Sequence, residues 1–201
     1  MTTEFDLKIP RVPAGSEKLI QEGAVSYVQA TIALNQFRGS VLDVCEELAK
    51  GRLEDINKIV GTNFSEDDLR PWPQKGKSLD SQDPWVCVYV TLRHVVSIDI
   101  GLYWESLKGG GYRLHAVTAF EFWDQALFQE ARQKVDENKD VKFGSFPYGD
   151  QDRFISLSEA IPEEQATSFP EKLQNVLDAF LVGWEKVGGL KNRMEDRSKG
   201  G

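Results

Sequence analysis

Two carboxylates near the middle of the chain, Asp99 and Glu121, stand in a pattern that could do chemistry. They belong to the stretch SIDIGLYWESLKGGGYRLHAVTAFEFWD, Ser97 to Asp124. In it, apolar residues alternate with Asp99, Tyr103, Glu105, Arg113, His115 and Glu121. Paired acids can share a divalent metal, or divide the roles of general acid and general base. The same residue types also suit a docking face, because Tyr, Trp and Arg are the usual anchors of protein contacts.

Other chemistries fail on residue type or spacing. The two histidines, His94 and His115, have only the lone Cys87 nearby, too little for a zinc set. No hydroxyl or thiol sits at the sharp strand-to-helix elbow that a nucleophile needs. Gly76-Lys77-Ser78 has the ending of a phosphate-binding loop, but Pro71 stands where that motif requires its first glycine. Gly109 to Gly111 precede a strand pattern rather than a helix, so they read as a turn. No resident metal or cofactor is expected, and no residue is assigned a catalytic role.

The elements that must position these residues are legible as periodicities. Three runs alternate strictly: Trp85–Leu92, Val96–Glu105 and Tyr112–Trp123. Val86, Val88, Val90, Ile98, Ile100, Leu102, Leu114, Ala116, Phe120 and Phe122 form their apolar faces. If the last two runs pair with both apolar faces inward, the paired residue numbers must sum to an even number, and 218 is the natural choice. That register sets Glu105 opposite Arg113, Tyr103 opposite His115 and Asp99 opposite Ala119. It leaves Asp99, Tyr103, Glu105, Arg113, His115, Glu121 and Trp123 together on the other, water-facing side.

Helices flank the strands. Ile20, Ala24, Val28, Ile32, Val41, Cys45 and Leu48 predict a long amphipathic helix from Ser16 to Gly51. A short helix from Leu53 closes at Gly61, and Ser65 caps a turn rich in acids. Asp124 caps a helix to about Val135, and Arg153–Leu157 reads as a further strand. The helix after Ser168 carries the stripe Leu173, Val176, Leu177, Phe180, Leu181 and Trp184, with Ser168 and Glu171 spaced as a capping box. A short strand is expected within Thr2–Val12, and Arg70–Pro84 reads as a connector.

The expected fold is therefore α+β. An antiparallel meander of three to five strands is packed by a long N-terminal helix and a capped C-terminal helix. Residues 1–190 are expected to form one domain and residues 191–201 a mobile tail. Over its central third this element order resembles the PD-(D/E)XK nuclease fold. There, an acid on the second strand and a Glu-x-Lys on the third hold a divalent metal. The resemblance would give those roles to Asp99 and Glu121, but Trp123 stands where the lysine belongs.

Bulk properties narrow the partners. The net charge is −8, with eight acids against three bases between Asp43 and Asp68 and five against one between Glu159 and Asp178. Nucleic acids and anionic membranes draw their affinity from cations, so neither is an expected partner, whereas a basic protein would suit the field. The opening MTTEFDLKIPRVP has acids where a signal peptide has bases, and Cys45 and Cys87 lie in apolar patterns as small buried thiols. The expectation is an acidic cytoplasmic protein-binding module, immunity-like or inhibitor-like, without catalytic activity. Its partner-binding residues would be Tyr103, Glu105, Arg113, His115, Glu121 and Trp123. The alternatives are a metal-dependent hydrolase or a catalytically degraded PD-(D/E)XK-like nuclease fold centred on Asp99 and Glu121, and a small-ligand sensor with a pocket between sheet and helices.

Overall fold

The computed structural model describes residues 16–72, 85–107, 112–144 and 153–190. The strand expected in Thr2–Val12, most of the Arg70–Pro84 connector, the glycines of the central hairpin and the tail lie outside them. The elements are α1 (Ser16–Gly51), α2 (Leu53–Val60), β1 (Arg70–Trp72), β2 (Trp85–Leu92), β3 (Val96–Ser106), β4 (Tyr112–Phe122), α3 (Gln125–Glu137), β5 (Phe154–Ile161) and α4 (Phe169–Lys186). Short 3-10 turns precede β1 and α4. Contacts divide the chain into two units, Met1–Arg38 and Gly39–Gly201.

In the second unit the five strands form one antiparallel sheet in the order β1-β2-β3-β4-β5. The fold is α+β, as the alternation predicts. Val88, Ile98, Ile100, Leu102, Phe120 and Ile155 share one buried cluster with Leu177 and Trp184 of α4, Ile56 and Ile59 of α2, Leu127 and Ala131 of α3, and Val41 and Cys45 of α1. Trp184 is fully buried in a ring of aromatics, stacked on Phe143 and edge-on to Phe120 and Phe180. Gly183 makes the stacking achievable, since a Cβ there would lie 2.6 Å from Phe143 Cζ.

Local signals behave as their chemistry dictates. Asp124 accepts a hydrogen bond from Leu127 N–H at the start of α3. Gly61 takes a φ of 78° to end α2. Ser65 and Asp68 complete a capping box. α4 departs from expectation at its start. The chain enters it through a 3-10 turn, so Ser168 is already near helical geometry and its hydroxyl donates back to Gln165 O instead of capping. Its other end is closed by Gly188 at φ 83° and by Gly189 N–H donating to Trp184 O.

β1 is a strand where the sequence reads as connector. Pro71 masks it, yet a proline is tolerated in a strand at the sheet edge. Gly101 lies opposite Cys87 at so close an approach that a Cβ would sit 2.1 Å from Val86 O.

Candidate functional site

The β3–β4 register is the one the alternation predicts. Glu105 pairs with Arg113, Tyr103 with His115, Asp99 with Ala119, and Ser97 with Glu121. Ile100 and Leu102 face the helices. The opposite face is not simply wet. Trp85, Cys87, Tyr103, Val117 and Ala119 form a second buried cluster against Phe154, and Ser97 and Asp99 are buried beside it. The reason is lateral. β2 and β5 bring Trp85, Cys87 and Phe154 onto this face, and a hairpin read alone lacks them.

Two polar groups flank that apolar strip. Toward the hairpin, Glu105 lies 3.8 Å from Arg113 Nη1 and 3.4 Å from His115 Nε2. The His115 ring sits 6.0 Å from Tyr103, centroid to centroid. At the other end, Ser97 Oγ donates to Asp99 Oδ1 at 2.9 Å, and Arg153 pairs with Glu121. Burial pushes the Asp99 carboxyl up to about 7; the nearby Glu121 carboxylate adds to this and the Ser97 hydrogen bond opposes it.

The expected partner-binding residues do not form one patch. Glu105, Arg113 and Trp123 are exposed or half-exposed, but ten residues of extended chain, roughly 33 Å, separate Arg113 from Trp123. Tyr103 is buried, so it offers no free ring, and Glu121 is mostly buried under Arg153. Asp99 and Glu121 do lie near each other, but the cation beside them is Arg153. Among the described residues no group of three His, Cys, Asp or Glu side chains could hold a metal ion. Arg153 lies 32 positions from Glu121, and no local pattern in the sequence announces that pairing.

The surface that sequence reasoning missed is in the first unit. From Gly23 to Phe37 the chain has fifteen residues without a charge. The segment is helical, and Val25, Tyr27, Val28 and Ile32 are each more than half exposed; Leu34 and Phe37 are about two-fifths exposed. Val25, Val28 and Ile32 recur on one side, and Tyr27, Leu34 and Phe37 on another. The readable signal was the missing charge, which periodicity alone does not weigh. Residues 1–38 carry four acids and four bases, so the net −8 belongs to residues 39–201. No helix among the described residues is long and apolar enough to cross a membrane. Comparison with family models, with characterised proteins and with solved structures brings no match.

Proposed function

We propose that the chain works by binding protein, and that the helical segment Gly23–Phe37 of α1 supplies the contact. One observation carries this reading: a charge-free helix with apolar side chains on more than one side stands exposed over four turns. Helices apolar all round are ordinarily buried. Scattered exposed apolar residues need no explanation, but a contiguous run of this length marks an interaction surface. The polar groups on the sheet support the same reading from the other side. Asp99 is bonded to Ser97, Glu121 to Arg153, and Glu105 lies between Arg113 and His115, so each is engaged within the fold.

The test is affinity capture with the wild type and an Ile32→Asp, Leu34→Asp variant. Both positions are exposed, so the unfolding midpoint should hold. Proteins retained by the wild type, a second copy of the chain counted among them, should be lost from the variant. Retention of the same set by both forms would overturn the reading.

A further inference from the structure

We propose that the outer edge of β5 takes up an extended, basic segment of a partner protein as a sixth strand. This is a second surface, in the sheet unit, and it is tested apart from the α1 reading. A ladder on that edge has already begun. Gly144 N–H donates to Ser156 O at 2.8 Å, and Ser156 N–H donates to Gly144 O at 2.9 Å. Successive residues of a strand point their backbone groups to opposite sides. Phe122 N–H donates to Arg153 O, so from Arg153 onward the odd-numbered residues bond to β4 and the even-numbered ones face outward. Past Ser156 the outward residues are Ser158 and Ala160. Both are exposed, and among the described residues no strand lies beside them on that side. The ladder ends at Pro162, which has no N–H and whose carbonyl accepts from Gln165 N–H. Two N–H and two C=O groups therefore stand open over Leu157–Ile161, about 17 Å of strand. Such an edge is the footing for strand addition. The opposite edge of the sheet resists it, because Pro71 sits in the middle of β1.

Side chains choose the occupant. Ser158 and Ala160 are small and pair with Val117 and His115 on the face away from the helices, so bulky residues of an incoming strand fit over them. Between them, Glu159 points to the helix side, where Lys172 of α4 holds it and its side chain is still 44% exposed. The residue entering opposite Glu159 would form a close cross-strand pair with it. A lysine or arginine there is favourable, and an acid is unfavourable. The surroundings have the same sign. Glu159–Asp178 holds five acids and one base, and that base, Lys172, is already engaged with Glu159. Glu164 and Glu171 are exposed shortly after the strand. Charge disfavours a second copy of β5, since a two-fold pairing that bonds both Ser158 and Ala160 sets Glu159 against Glu159. The partner strand therefore reads bulky, basic, bulky, with further bases beside it.

The test is a nuclear magnetic resonance titration of the full chain with the end-blocked peptide Lys-Thr-Val-Lys-Val-Thr-Lys at up to millimolar concentration. The backbone amides of Ser158 and Ala160 should shift and exchange more slowly with water, and high salt should weaken the effect. The same peptide N-methylated at both valines keeps its charge but loses the donors that face β5, and it should not bind. A peptide with glutamate in place of each lysine should not bind either. Ser158→Pro removes one outward N–H and no bond to β4, so it should weaken the lysine peptide about tenfold while circular dichroism stays unchanged. The methylated peptide carries the test should that variant not fold. Silent Ser158 and Ala160 amides overturn the inference. Equal binding of the methylated peptide overturns strand addition, and equal binding of the acidic peptide overturns the basic partner.

Discussion

Ser97 donates its hydroxyl hydrogen to Asp99 Oδ1 at 2.9 Å, along one face of β3 and out of contact with water. The bond favours the ionised carboxyl, but burial outweighs it and holds Asp99 near a pKa of about 7. The folded value is raised above the ordinary 3.8. This group therefore costs nothing below pH 4, where it is protonated in both states. It removes stability as pH rises from 4 to 7, and the full cost stays above 7. Asp99→Asn should raise stability at pH 8 by up to about 4 kcal/mol and leave it nearly unchanged at pH 3.5. Denaturant unfolding of both forms across that range checks it; equal pH slopes would show that Asp99 does not titrate there.

Arg153 and Glu121 should be coupled energetically. Glu121 is more buried than its partner, so the pair is worth more than a surface ion pair and less than a deeply buried one. A double-mutant cycle with Arg153→Met and Glu121→Gln should give a coupling of roughly 1 kcal/mol. A coupling indistinguishable from zero would reduce the pair to a contact without energetic weight.

Trp184→Ala should destabilise the fold by about 3–5 kcal/mol, because the indole is fully buried among Phe120, Phe143 and Phe180. Near-ultraviolet circular dichroism should lose aromatic signal in step. A loss below ~1 kcal/mol would mean that the site collapses around the smaller side chain.

Gly101→Ala should cost roughly 3 kcal/mol, since the new methyl group meets the Val86 carbonyl and the β2 backbone, which cannot turn aside as a side chain would. Hydrogen exchange should show the penalty locally, as faster opening of the β2–β3 pairs around Cys87.

Much of this fold is legible in the sequence because its strongest signals are local. Period-two alternation sets the β3–β4 register, and a one-residue slip would have put Ile100 in water. Asp124, Ser65 and Gly61 act within a turn of their own position. What stays illegible depends on distant residues. The burial of Asp99 and Tyr103 depends on the strands beside them, and Arg153 finds Glu121 only after β5 docks on β4. β1 hides behind Pro71, whose strand-breaking signal holds for the interior of a sheet and lapses at its edge. The apolar pattern of α1 reads as core along its whole length, although among the described residues its members of the buried core cluster are Val41, Leu42, Cys45 and Ala49.

Pro71 has a further effect on solubility. An open strand edge is a template on which other chains can polymerise. Among the described residues β1 is three residues long, and its middle residue has no N–H to donate. A strand arriving from outside would meet an incomplete ladder and gain little by adding to it. On that side the sheet protects itself against fibril-like growth through backbone covalent chemistry, a safeguard that no change of pH or salt can remove.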